Sequence, residues 1–320
     1  MNLRTVKLAA AAFVLAASAA TTAALAHPPR FGPWATAISL EAIPGTSSEL
    51  NTQALDGCPI QAPNGLSLYM ASNRPNGVGG IDIWVARREH RGDPWGAPVN
   101  VGPPVNSPQD DFCPTPTRGP RFFFVSTRPG GCGDADMYVT RLRRGEWAEP
   151  ENLGCHVNSP AAEASPALFR GHGGRVLYFS SARPGGYAEE PLGTPPDSDI
   201  YRAEELSGGS FGPAELVPGL NTADQDARPN VRLDGLEVVF DSTRAGTLGG
   251  PDIYSSSRAN RRTAWSTPVN LGSDVNTSSS ETRASLSKDG RTMVFGSNRP
   301  GGEGSTDIYV TTRNRLHGND

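Results

Sequence analysis

The 320-residue chain is predicted to be an all-β protein, a five-bladed β-propeller built from four-stranded antiparallel blades. Three observations predict it. One phrase recurs five times: Ser-x-Arg, a Gly-rich turn and an Asp-Ile/Met-Tyr/Trp triplet, with copies beginning at Ser72, Ser126, Ser181, Ser242 and Ser297. A second element precedes each copy at a period of 52 to 63 residues, which signals a repeat architecture. No long stretch carries the 3.6-residue apolar period of a helix, whereas glycine (37) and proline (29) are abundant and the glycines recur in register, which points to many tight turns.

Taken in order, residues 1–26 read as a cleaved secretory signal, with a basic start (Arg4, Lys7), an Ala-rich apolar run and a small-x-small site at Ala24-Leu25-Ala26. A membrane anchor is the alternative; the Ala and Thr content of the run argues against it. The mature chain, 27–320, is then a single propeller domain, located in the periplasm or secreted. The blade repeats span about 50–102, 105–154, 157–217, 220–272 and 275–314.

Each repeat opens with an Asn (Asn51, Asn106, Asn158, Asn221, Asn276) and, five residues on, a carboxylate: Asp56, Asp111, Glu163, Asp226 or Glu281. A first strand follows and ends in turns such as Asn64-Gly65, Asp234-Gly235 and Asp289-Gly290, strong hairpin signals between apolar runs. The second strand is the apolar run (LSLYMAS, RFFFVS, RVLYFSS, LEVVFDS, TMVFGS), and the third starts at the triplet. The fourth carries an aromatic residue and then Pro, at Trp95, Trp147, Phe211 and Trp265. The fifth repeat ends without one, but GPWATAISL near the mature N-terminus sets Trp34 in the matching place. A closing strand at about 32–42 is therefore expected to complete the last blade and remove the open sheet edge.

The pattern of acid-x-x-Pro, Asp-Gly turn, apolar strand, Ser-x-Arg, Gly turn and Asp-Ile-Tyr resembles the WD40-like β-propeller repeat found in the TolB C-terminal domain. The resemblance spans all five repeats. It implies a propeller with a binding role in the bacterial envelope. The chain departs from TolB in its five repeats, where TolB has six blades, and in having no separate α/β domain, so the partner of TolB does not transfer.

Residues present in every blade are read first as architecture. Arg74, Arg128, Arg183, Arg244 and Arg299 stand across the Gly-rich turn from Asp82, Asp136, Asp199, Asp252 and Asp307. A guanidinium clamping a carboxylate or loop carbonyls would fix the turn; ligand binding is the alternative. The triplet and outer-strand aromatics are expected to pack between blades, with a sugar-binding platform as the sharper alternative.

The carboxylates Asp56, Asp111, Glu163, Asp226 and Glu281 start the innermost strands and so converge on the channel mouth. Either each accepts backbone N–H bonds from its own loop, or the ring holds Ca²⁺ or Mg²⁺, which favour hard oxygen ligands. No other metal or cofactor is indicated. Two residues further on the repeats diverge to Cys58, Cys113, Ser165, Arg228 and Arg283, where specificity is expected to lie. The four cysteines of an exported chain allow three disulfide connectivities. Topology favours Cys58–Cys113 with Cys132–Cys155, and Cys113–Cys132 is the main rival. A zinc site is disfavoured, since no C-x-x-C occurs and only His156 lies beside a cysteine.

Without the leader, 27 basic residues face 33 acidic ones, which argues against nucleic acid or an anionic membrane as partner. The single mature lysine, Lys288, sits in a turn where it would stay solvated. No G-x-S-x-G, H-E-x-x-H or P-loop is present, and SKDGRT lacks the aromatic ending of the sialidase Asp-box. The five mature histidines (His27, His90, His156, His172, His317) form no base–nucleophile pattern. The expected function is a non-enzymatic, monomeric binding propeller that docks a protein, peptide or envelope glycan. Its docking face carries the channel mouth and an acidic, Pro-rich insertion in blade three (Tyr187 to Asp199). The alternative is an arabinanase-like, glycan-active hydrolase using a pair of axial carboxylates such as Asp111 and Glu163.

Overall fold

A computed structural model describes residues 31–187 and 197–316. The expected leader, His27, His317 and most of the blade-three insertion lie outside the described residues. The remainder forms five small antiparallel sheets in a ring, a five-bladed β-propeller. Blade one comprises strands Asp56–Gln61, Ser67–Ser72, Asp82–Arg87 and Val99–Asn100. Blades two to four repeat that order from Asp111, Glu163 and Asp226, and blade two adds a short strand, Glu146–Trp147, against its third. Blade five takes Glu281–Leu286, Thr292–Ser297 and Asp307–Thr312 from the C-terminal repeat and Ile38–Ser39 from the N-terminal segment. That outer strand pairs Ile38 with Val310 and Ser39 with Tyr309, the ring closure expected from the position of Trp34.

The five junctions between blades are alike. The N–H of each inner-strand carboxylate donates to the carbonyl just before the triplet Asp of the preceding blade: Asp111 to Ile81, Glu163 to Ala135, Asp226 to Ser198, Glu281 to Pro251, at 2.7–2.8 Å. Asp56 makes the same bond to Thr306, so the closing junction is bonded like the other four. The recurring Asn clasps the triplet backbone from its amide. Asn106 accepts from Ile83 N–H at 2.9 Å and donates back to its carbonyl at 3.0 Å; Asn51 does so to Ile308 across the closure.

Apolar residues gather in five clusters, one at each blade interface. Four of them hold the second-strand aromatic residues Phe122–Phe124, Phe179, Phe240 and Phe295, and the one between blades five and one holds Leu68 and Met70 instead, all sealed from solvent. Each contributes roughly 1.5–3 kcal/mol by its burial. Trp34 sits in the cluster shared with blade four, beside Val239 and Ile253. It lies under the Arg313 guanidinium at 4.2 Å, as Trp95 lies under Arg88 and Trp265 under Arg258 at 4.0 and 4.1 Å. Those arginines also donate to the turn glycines Gly290, Gly65 and Gly235, whose φ of 72–74° only glycine adopts without strain. Among the described residues no helix is long and apolar enough to cross a membrane.

Candidate channel-mouth site

The five arginines of Ser-x-Arg clamp a carboxylate and loop carbonyls as expected, and the carboxylate is the inner-strand one rather than the triplet aspartate across the turn. Arg74 reaches Asp56 at 2.5 Å, Arg128 reaches Asp111 at 2.7 Å, Arg183 reaches Glu163 at 3.1 Å and Arg299 reaches Glu281 at 3.2 Å. Arg244 bonds Asp226 likewise. The hairpin register explains the geometry, because Asp56 stands opposite Ser72 and Arg74 lies two residues beyond. Each Nε donates to its own Ser, as in Arg74 to Ser72 at 2.9 Å, and each Nη2 also reaches the carbonyl just before the recurring Asn. The triplet ring lies over the same guanidinium, at 4.4 Å for Tyr309 and 4.8 Å for Tyr201.

The carboxylates are fully buried, each at 0 % exposure. Their second oxygen accepts the N–H of the residue after the recurring Asn: Thr52 to Asp56 at 2.6 Å, Ser107 to Asp111 at 2.6 Å, Ser159 to Glu163 at 2.9 Å, Thr222 to Asp226 at 2.5 Å, Thr277 to Glu281 at 2.7 Å. The same Ser or Thr hydroxyl donates to each as well. Where the acid is Glu, its extra length lets Ser181 or Ser297 donate too, both at 2.7 Å. Of the two sequence readings, this is the loop-capping one; the oxygens converge on their own loops and arginines rather than on the axis. No group of three or more metal-ligating side chains occurs among the described residues.

The triplet aspartates close the Gly-rich turns. Asp82 accepts from Val78 and Gly79, Asp252 from Leu248 at 2.8 Å, Asp199 from Tyr187 at 2.6 Å, Asp307 from Glu303 at 2.9 Å, and Asp136 from Cys132. Asn100, Asn152 and Asn270 of the outer strands add a further donor to Asp82, Asp136 and Asp252.

The hub itself is formed by the residues that differ between repeats. Cys58, Cys113, Ser165, Arg228 and Arg283 all have left-handed backbone, φ 47–57°, and each marks a bulge in its inner strand. Positive φ is uncommon outside glycine, so its fivefold repetition is imposed by the turn the strand makes at the axis. Cys58 and Cys113 are joined by a disulfide across blades one and two, and Cys132 is joined to Cys155, the connectivity that topology favoured. Arg228 pairs with the buried Asp241, which also accepts the Arg283 N–H at 2.9 Å. Sequence reasoning missed Asp241; it lies in a second strand of otherwise apolar residues, LEVVFDS, and an acid there was the available signal. Burial holds the Asp241 and Glu163 carboxyls above their ordinary values despite neighbouring arginines. The cavity left at the hub is only about 30 Å³. Grooves of about 480 and 630 Å³ lie at the opposite end, around the Arg88–Trp95 and Arg258–Trp265 stacks.

No family model matches the chain, and no curated protein matches it. Solved structures do. An α-L-arabinofuranosidase from Lactobacillus brevis shares 11 % identity at a TM-score of 0.56, over 88 % of this chain and 95 % of that one. A GH43 endo-arabinanase from Bacillus licheniformis shares 12 % at 0.52, over 85 % and 96 %. TolB from Acinetobacter baumannii shares 15 % at 0.46, over 77 % and 53 %. At such identity the first two likenesses establish the propeller fold and nothing about chemistry.

Proposed function

We propose that the chain is an exported, non-enzymatic binding propeller that docks a protein, peptide or envelope glycan on the face carrying the channel mouth. One observation carries this reading: every axial carboxylate is sealed from solvent and spent on its own arginine and loop. Glycoside hydrolysis needs two carboxyl groups facing the scissile bond, roughly 5–9.5 Å apart, one of them poised as an acid. Glu163 has the raised pKa of such an acid but no surface through which to protonate a substrate. The small, disulfide-plugged hub likewise leaves no cleft of the size a sugar ring fills. The two disulfides suit an oxidising compartment, in keeping with export. The five-copy resemblance to the WD40-like repeat supports a binding role in the bacterial envelope.

A photo-reactive side chain placed singly tests the face. Asn73, Asp134 and Glu303 are exposed in the Gly-rich turns of the channel-mouth face, and Arg91, Arg118 and Arg261 are exposed on the opposite one. Cross-links in envelope extract are expected from the first three positions and absent from the second three. Release of sugar from arabinan or xylan by the purified chain, lost on Asp111→Asn or Glu163→Gln, would instead establish the hydrolase reading.

A further inference from the structure

At the hub the inner strands present neutral groups from three blades, Cys58, Cys113 and Ser165, and guanidinium groups from two, Arg228 and Arg283. Asp241 neutralises only one of these charges. It pairs with the Arg228 side chain, and its other oxygen takes the backbone N–H of Arg283 at 2.9 Å. The Arg283 guanidinium donates to no described residue, and its Nε is buried. Ser285, 4 % exposed, lines the same cavity with its Oγ buried and without a partner. Buried donors without acceptors are costly, and so is an excess of positive charge on partly buried arginines. Burial first, and the adjacent Arg228 charge second, lower the Arg283 pKa to about 10, which leaves it charged at neutral pH. The cavity is about 30 Å³, the space of two or so water molecules and of a group of three heavy atoms. It communicates with solvent beside Arg228, whose side chain is 22 % exposed.

We propose that this pocket receives a carboxylate group, bound by the Arg283 guanidinium and the Ser285 hydroxyl with Arg228 alongside. A single negative charge balances the excess cation. Its planar pair of oxygens matches the guanidinium fork, a geometry that a spherical halide does not exploit. The carboxylate belongs to a small organic acid or to a peptide chain; in the second case the inference rests on the docking function proposed above.

Titration calorimetry with sodium acetate at constant ionic strength tests the pocket without any partner. One acetate is expected to bind per chain, at least tenfold more weakly after Arg283→Met and several-fold more weakly after Ser285→Ala. No binding to the unaltered chain, or equal binding to Arg283→Met, overturns the proposal. Should Arg283→Met fail to fold, crystals of the unaltered chain grown without carboxylates and soaked in sodium acetate decide. Planar density beside Arg283 and Ser285 that appears only on soaking upholds the site, and the absence of such density overturns it. A tripeptide with a free C-terminus that competes with acetate, where its amide does not, upholds the site and assigns it to chain ends. Acetate binding without such competition upholds it for small acids. Acetate binding with no cross-links from the channel-mouth face sinks the docking reading alone, and cross-links without acetate binding sink the pocket alone.

Discussion

Replacing Trp34 with alanine tests ring closure most directly. Trp34 is 7 % exposed and packs with Val239 and Ile253 of blade four as well as Met293 and Phe295 of its own blade. Truncating a buried Trp costs about 3–5 kcal/mol. The stack with Arg313 at 4.2 Å contributes about 0.5–1 kcal/mol of that loss. Arg313 is not stranded by the change, since it keeps Glu237 at 2.6 Å and the Phe31 ring at 4.0 Å. The expected destabilisation is therefore about 4 kcal/mol, a large share of the ~5–15 kcal/mol that holds a typical domain folded. Trp147 is the control. It occupies the matching place in blade two but is only half-buried, with no arginine over its ring, so Trp147→Ala should cost about 1–2 kcal/mol. Urea unfolding followed by far-UV circular dichroism compares the two, because tryptophan fluorescence itself changes in both variants. A loss below about 1 kcal/mol for Trp34→Ala, or one no larger than that of Trp147→Ala, would refute the closure described for residues 34–39.

Two further outcomes are expected. The disulfides close separations of 55 residues (Cys58–Cys113) and 23 residues (Cys132–Cys155). By chain entropy their removal as serine pairs should cost ~4 and ~3 kcal/mol respectively, read as urea midpoints; a cost under about 1 kcal/mol for the hub pair counts against its role. Glu163 has its carboxyl raised above the ordinary 4.5 by burial, against the bonds from Ser159 and Ser181 and the Arg183 charge. Its stabilising contribution is thus full below about pH 4.5 and is lost as pH rises through the folded value. The melting temperature of Glu163→Gln minus that of the parent should therefore grow between about pH 4 and pH 7, and a difference that shrinks over that range contradicts the assignment.

The architecture was legible because each signal repeats five times. The Asn-to-carboxylate spacing foretold the loop caps, and the unpaired Trp34 foretold the closing strand. The arginine partner was not legible for a specific reason. Ser72 at the end of the second strand stands opposite both Asp56 and Asp82 in register, so Arg74 is near two carboxylates. Only the folded turn decides, because its own N–H groups saturate Asp82 and leave Asp56 to the guanidinium. The arginine–tryptophan stacks escaped notice because they occur in three blades. Six residues after the triplet Asp stand Arg88, Arg258 and Arg313, but Leu142 in blade two and Glu205 in blade three. The hub charge was half legible, since Arg228 and Arg283 break the repeat visibly whereas Asp241 lies in a strand that reads as plain core.

The Ile38–Val310 pairing has a bearing on how the molecule assembles. Each of the other strand pairings joins residues near in sequence, and so collapses at small entropic cost, while this one spans almost the whole described chain. Hairpins can form as soon as their residues emerge during synthesis. The segment around Trp34, made before any of the five repeats, has no sheet to join until the last repeat arrives, so it is the final piece to dock.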